Sequence, residues 1–350
     1  MIAASEPVQR PQDAKLLWVR RGGTIEHWLR SAWVSLLNAR DLVVANDAAT
    51  LPASLFGTHL PTGRSIEVRL AGRRSLNPLQ VDRFLVVVFG AGDFRMRTED
   101  RPAPPHLTPG DHLQLGPLRA AVESLQDHPR LALLRFEGSA QHIWAGFARH
   151  GRPIQYAHIG QPLALWDTWS PIAGNPVAFE PPSAGFALSW ELLGSMSARG
   201  IRFATLTHAA GLSSTGDLEL DARLPFDEAY RIPLSTAEWI ARTKERGARV
   251  VALGTTVARA LEHAAAANGG VTAGAGVATQ RIGPGSRLRV VDAILSGTHE
   301  KGTSHYELLR AFVSARALAR IEQELDSHAY RTHEFGDSIF VEKGAIASAV

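Results

Sequence analysis

The chain has 350 residues, 45% of them apolar and 20% charged, with 37 Lys+Arg against 34 Asp+Glu for a formal net charge of +3. That balance builds a sizeable core, in two domains or one large one, and excludes a disordered, collagen-like or coiled-coil chain. The lack of cysteine excludes disulfides, thiolate metal sites and thiol nucleophiles, and no run reaches the roughly 20 apolar residues of a membrane-spanning helix.

The opening Met1-Ile2-Ala3-Ala4-Ser5-Glu6-Pro7 carries neither the charged nor the apolar segment of a secretory signal, so a cytoplasmic protein is expected. Strand, helix, strand is predicted next, from Leu16–Val19, the apolar-periodic stretch Trp28–Leu37 and the run Asp41–Asn46. Between 61 and 150 the texture changes. Short apolar runs at Ser65–Leu70, Phe84–Phe89, Leu131–Phe136 and His142–Phe147 alternate with Gly and Pro clusters, the pattern of a small β-barrel or sandwich. Residues 151–185 are Pro-rich and read as a long irregular connection.

Beyond 185 helices alternate with apolar strands. Ser189 caps a helix from Trp190 to Arg199, with Gly200 as its stop, and Ile201–Leu206 follows as a strand. Ser235 and Glu238 have the spacing of a capping box for a helix ending at Gly247. The strand Val250–Leu253 leads through Gly254-Thr255-Thr256 into another helix, and Leu288–Leu295 leads to a long one from Ser304 to Leu325. Gly274-Ala275-Gly276 reads as a flexible loop. The fold class expected is α/β, a mostly parallel sheet with an inserted small β-barrel, divided as 1–60, 61–150 and 151–350. Ligands of such sheets sit beyond the carboxyl ends of the strands, which directs attention to the loops after 206, 253, 295 and 336.

Chemistry-bearing residues gather on those loops. The turn Gly254-Thr255-Thr256 opens a helix, where free N–H groups and the dipole favour an anion; the same turn also reads as an ordinary Thr-capped strand-to-helix junction. Ser296–His305 is the densest polar cluster. His299 and His305 are six apart with Gly302 between them, which excludes the four-residue spacing of a helical zinc pair and leaves acid/base or substrate-binding roles, or a helix cap at Thr303 or Ser304. His333, Glu334, Gly336 and Asp337 form a second cluster, read either as part of a site or as a β-turn with solvated charges. His208 ends a strand, where a lone histidine is more often structural, and Trp166 and Trp169 read as packing residues. Basic residues occur in short pairs such as Arg20-Arg21 and Arg73-Arg74, so the charge permits RNA contact without indicating it.

Taken in order, these segments resemble the S-adenosylmethionine:tRNA ribosyltransferase-isomerase family of queuosine biosynthesis. The resemblance is carried by Arg40-Asp41-Leu42-Val43-Val44-Ala45-Asn46 with Leu51-Pro52-Ala53-Ser54-Leu55-Phe56-Gly57. It continues through Ser183-Ala184-Gly185, Gly254-Thr255-Thr256-Val257-Ala258-Arg259-Ala260-Leu261-Glu262, Val290–His299 and Gly336-Asp337-Ser338. It implies an α/β domain with an inserted barrel and S-adenosylmethionine as co-substrate, without a metal. The implied reaction moves and rearranges the ribosyl group onto the aminomethyl group of a 7-deazaguanine in tRNA, releasing adenine and methionine. Carried onto this chain, it makes His299, Glu228 and His208 the catalytic candidates. Thr255, Thr256, Arg259, Ser183 and Gly185 become candidates for holding S-adenosylmethionine, with Arg259 orienting a carboxylate, and Asn46, Asp337, His305 and His333 for the substrate, Asp337 either as a contact to its amine or as a structural contact.

Several positions depart from the family pattern. Ala187 and Phe226 stand where the family carries histidines, Ala49 where it carries an arginine, and Glu300–Ser304 replaces a Leu-Pro-Lys-Ser-Thr segment. These departures imply a divergent, paralogous branch. Two other readings therefore accompany the family reaction: S-adenosylmethionine chemistry on a different, small-molecule acceptor, and a binding protein that no longer catalyses. The oligomeric state is not legible.

Overall fold

The computed structural model describes residues 1–344. Its centre is a nine-stranded sheet in the order Gly274–Ala278, Glu228–Ile232, Arg202–His208, Leu42–Asn46, Val250–Leu253, Ala293–Gly297, Ser338–Glu342, Lys15–Val19 and Ile25–Leu29. The four strands from Arg202–His208 to Ala293–Gly297 run parallel, while antiparallel strands flank them on both sides. The expected α/β class holds. Leu42, Val43, Val44, Ala45, Val250, Val251 and Ala252 are all completely buried, because helices or their connections cover both faces of these central strands.

Six antiparallel strands form the inserted closed barrel: Leu118–Leu125, Leu131–Phe136, Arg83–Phe89, Arg64–Gly72, Ser54–His59 and His112–Leu115. Its first strand starts at Ser54, before the boundary expected at 61. The segment expected as a strand over His142–Phe147 lies inside a helix, Ala140–His150. Ser139 caps it by accepting the His142 N–H at 3.2 Å, and Ile143 and Phe147, four apart, pack with Phe84 and Phe136 in the barrel core. Helical spacing thus outweighs the apolar run.

Other predicted elements also change. Trp28–Leu37 divides into the strand Ile25–Leu29 and a 3-10 segment Arg30–Leu36. The helix expected over 304–325 is two, Ser304–Leu309 and Ala315–Ser327, the second capped by Ser314. Ser235 is already inside the helix Leu234–Glu245, whose N-cap is Pro233, so the expected capping box does not form. Gly274-Ala275-Gly276 is not a loop but the edge strand. A Cβ on Gly276 would lie 2.5 Å from the Tyr230 ring, so the missing side chain is what lets this strand pair beside tyrosine. No helix among the described residues is long and apolar enough to cross a membrane.

Candidate active site

Beyond the carboxyl ends of the parallel strands lies a cleft of about 200 Å³. Val250–Leu253 brings its side of the wall through Gly254, which has φ +102°. A Cβ there would stand 3.2 Å from that of Ala184, so glycine is needed both for the backbone angle and for the approach of the facing segment. The helix Thr255–Asn268 begins at once, and Thr255 and Thr256 line the cleft with the unpaired N–H groups of its first turn. Opposite, Ser183 and Ala184 come from the short 3-10 segment Ser183–Ala187. Ala293–Gly297 delivers Ser296 and His299, and the helix Ser304–Leu309 delivers His305.

Glu228 enters from the antiparallel strand beside Arg202–His208. One of its carboxylate oxygens accepts the Gly211 N–H at 2.5 Å, and the other is paired with Arg259 Nη1. Both partners line the cleft yet are only 6% and 4% exposed. Arg259 also donates from Nε to the Gln280 carbonyl at 2.9 Å and from Nη2 to that of Ala278 at 2.8 Å. The guanidinium expected to orient a substrate carboxylate is therefore engaged by protein acceptors at all three nitrogens, and fastens the edge strand to the helix.

His208 is completely buried with Nε2 3.4 Å from Glu228, and burial pushes its imidazole down to about 4, the Glu228 charge opposing. It is therefore neutral at pH 7 and lies behind the cleft wall. Asn46 is also behind it. Its Nδ2 donates to the His208 carbonyl at 2.9 Å and to Thr256 Oγ1 at 3.3 Å, while Oδ1 accepts the N–H groups of His208 and Ala48. Expected as a substrate ligand, Asn46 joins two loops of the site from beneath.

His299 and His305 stack, with ring centroids 4.6 Å apart, and His299 Nε2 lies 3.1 Å from Ser296 Oγ. Burial, with His305 and His333 nearby, holds His299 well below the ordinary histidine range; burial also lowers His305 against the opposing charges of Glu228 and Glu334. A neutral pair results, able to accept a proton.

Besides His208 and Asn46, three expected site residues do not line the cleft. Asp337 is buried, and its oxygens accept the Lys15 and Arg331 N–H groups at 2.8 Å each, together with Arg331 Nη2 at 3.3 Å. Its carboxylate thus knits neighbouring segments, the structural one of the two roles expected for it, rather than facing a substrate amine. His333 has φ +70° and stacks on His158 at 4.2 Å, one layer behind the cleft. Gly185 is buried, and a Cβ on it would meet Ser170 at 3.1 Å.

Glu180 lines the cleft and has no counterpart among the expected residues. Tyr156 Oη donates to one of its oxygens, and the Ser213 N–H to the other at 3.0 Å. Burial, with the Glu334 carboxylate nearby, pushes its carboxyl up to about 7. The site therefore holds one carboxyl group poised to exchange a proton near neutrality, beside neutral histidines and a helix N-terminus. Glu180 ends a Pro-rich stretch without periodicity, where only its position before Pro181-Pro182 marks it.

A family model described as queuosine biosynthesis protein matches residues 1–341. The S-adenosylmethionine:tRNA ribosyltransferase-isomerase of Pelobacter propionicus is 31% identical to the chain, an alignment covering 98% of it and 96% of the relative. The Gloeobacter violaceus protein of the same name is 33% identical over 98% and 93%. Among solved structures, S-adenosylmethionine tRNA ribosyltransferase from Thermotoga maritima has a similar fold, with TM-score 0.51, 22% identity and coverage of 97% and 96%.

Proposed function

The chain belongs to the queuosine biosynthesis protein family, and from that premise we propose that its cleft binds S-adenosylmethionine and transfers and isomerises the ribosyl group onto the aminomethyl group of a 7-deazaguanine in tRNA. Adenine and methionine leave. The observation that carries the reading is the convergence of Thr255, Thr256, Ser183, His299, His305, Glu228 and Glu180 on one cleft at the strand ends.

The roles follow from the local chemistry. Thr255 and Thr256 offer hydroxyls and helix N–H groups to the methionine carboxylate or the ribose. His299, neutral and backed by His305, takes the proton removed beside the sulfonium. Glu180, protonated up to about pH 7, donates to the departing adenine. Glu228, held by Arg259 and the Gly211 N–H, supplies fixed negative charge opposite the sulfonium. His208, Asn46, Asp337, His333 and Gly185 act as positioning residues.

The test is titration calorimetry of the protein with S-adenosylmethionine, then chromatography of the same sample for adenine and methionine. It is run with and without tRNA bearing the aminomethyl-deazaguanine. Adenine release that depends on this tRNA is expected. Binding without release under both conditions would transfer the site to another acceptor or to a binding role, and no binding would reject it.

A further inference from the structure

A second cleft, of about 620 Å³, shares no lining residue with the first. It lies where the barrel meets the sheet. Arg73 and Leu76 reach it just beyond the barrel strand Arg64–Gly72, Trp144 and Phe147 from the helix Ala140–His150, Trp169 from the Pro-rich connection and Arg231 from the sheet.

Arg73 is the unusual member. It is 6% exposed, and Nε, Nη1 and Nη2 are all buried without a hydrogen-bond partner. The other buried arginines among the described residues all have acceptors. Arg30 donates to the Gly336 and Gln9 carbonyls, Arg69 and Arg101 share Glu67, and Arg259 pairs with Glu228. Burial pushes Arg73 down to about 10 with no carboxylate opposing, so it remains a cation at pH 7. A buried cation without a counter-charge is strongly unfavourable unless something supplies the missing anion.

The walls describe the rest of that anion. Trp144, Trp169 and Leu76 present aromatic and apolar surface, with the buried Phe147 beneath them, and Arg231 is an exposed second cation at the rim. The volume falls in the range of pockets that hold drug-sized molecules. Trp169 is 41% exposed, so its ring is available to a ligand.

We propose that this second cleft binds a nucleotide-sized organic anion, its phosphate or carboxylate seated on Arg73 and its planar body against Trp144 and Trp169. The site is separate from the S-adenosylmethionine cleft and does not depend on the reaction assigned there.

The test is titration calorimetry with guanosine 5′-monophosphate, indole-3-acetate and inorganic phosphate, each with S-adenosylmethionine present in excess. At least one ring-bearing anion is expected to bind one-to-one, and comparison of the two distinguishes phosphate from carboxylate. Arg73→Leu should weaken that binding at least tenfold while leaving S-adenosylmethionine affinity unchanged. It should also melt above the wild type without ligand, since it removes an uncompensated charge. Trp169→Ala, a change at a half-exposed position, should weaken the ring-bearing probes and spare inorganic phosphate. Absence of binding by both ring-bearing anions, equal affinity for inorganic phosphate, or binding indifferent to Arg73→Leu and Trp169→Ala would overturn the proposal. So would a lower melting temperature for Arg73→Leu, which would make Arg73 a paired structural residue.

Discussion

His299 and His305 lie ring on ring, 4.6 Å between centroids, on the wall of the cleft formed by the loop after strand Ala293–Gly297. Burial keeps both imidazoles below their ordinary range. A neutral His299 accepts a proton at pH 7, and His305 fixes its plane. His299→Ala should lower the rate of adenine release by about 100-fold or more, with S-adenosylmethionine affinity changed far less. His305→Phe preserves the stack and should retain more activity than His305→Ala. Single-turnover chromatography of both variants checks this, and equal rates for Phe and Ala at 305 would remove the stack from the argument.

The pair of Arg259 and Glu228 leads to a stability prediction. Both side chains are more than nine-tenths buried, and each would be left as an uncompensated charge if the other were removed. Arg259→Met should therefore cost about 3–5 kcal/mol in urea unfolding. Adding Glu228→Gln to that variant should restore a substantial part, because the orphaned carboxylate is gone. A single-variant cost below about 1 kcal/mol, the value of an exposed pair, would show that water reaches the couple.

Acid should act through His208. Its imidazole titrates near 6.5 when unfolded and near 4 when folded. Between those values the unfolded chain binds more protons, so the stability linked to this residue is fully present above pH 6.5 and is lost as pH falls toward 4. The 2.5-unit difference corresponds to about 3 kcal/mol. His299, His305 and His333 are also lowered and add in the same direction. Glu180, raised to about 7, opposes them by favouring the folded state as pH falls from 7 toward 4.5. The difference between wild type and His208→Phe isolates the first contribution. Between about pH 7.5 and 4.5 the urea midpoint of the wild type should fall relative to that of His208→Phe, and parallel curves would disprove the assignment.

How far the sequence reveals this arrangement depends on the kind of signal each residue leaves. Val250–Leu253 and Leu42–Asn46 are legible because uninterrupted apolar runs belong to strands covered on both faces. Thr255, Thr256 and His299 follow from the rule that α/β sites collect at strand ends. Gly274-Ala275-Gly276 is illegible because its strand character depends on Tyr230 across the ladder, a contact 46 residues distant at Gly276. Asp337 shows the opposite failure. A carboxylate in a polar loop looks available, and only the fold reveals that backbone N–H groups have filled its oxygens. Arg259 is misleading in the same way, since its motif cannot display the carbonyls of Ala278 and Gln280.

Glu180 leaves no pattern at all, yet its chemistry is the most directly testable. With its carboxyl pushed up to about 7, it is largely protonated at pH 6 and largely ionised at pH 8. If it protonates the departing adenine, adenine release should fall as pH rises through about 7, in the direction opposite to the requirement for neutral His299. Glu180→Gln keeps the size and much of the polarity but has no acidic proton. It should slow release by about 10²–10⁴-fold and remove the limb near pH 7. Tyr156→Phe removes the hydrogen bond that favours the ionised carboxylate, and with it the phenol whose own negative charge is suppressed by burial. The limb should then move to higher pH while the maximal rate changes much less. A pH–rate profile unchanged in both variants would take Glu180 out of the proton path and leave it a structural partner of Tyr156 and Ser213.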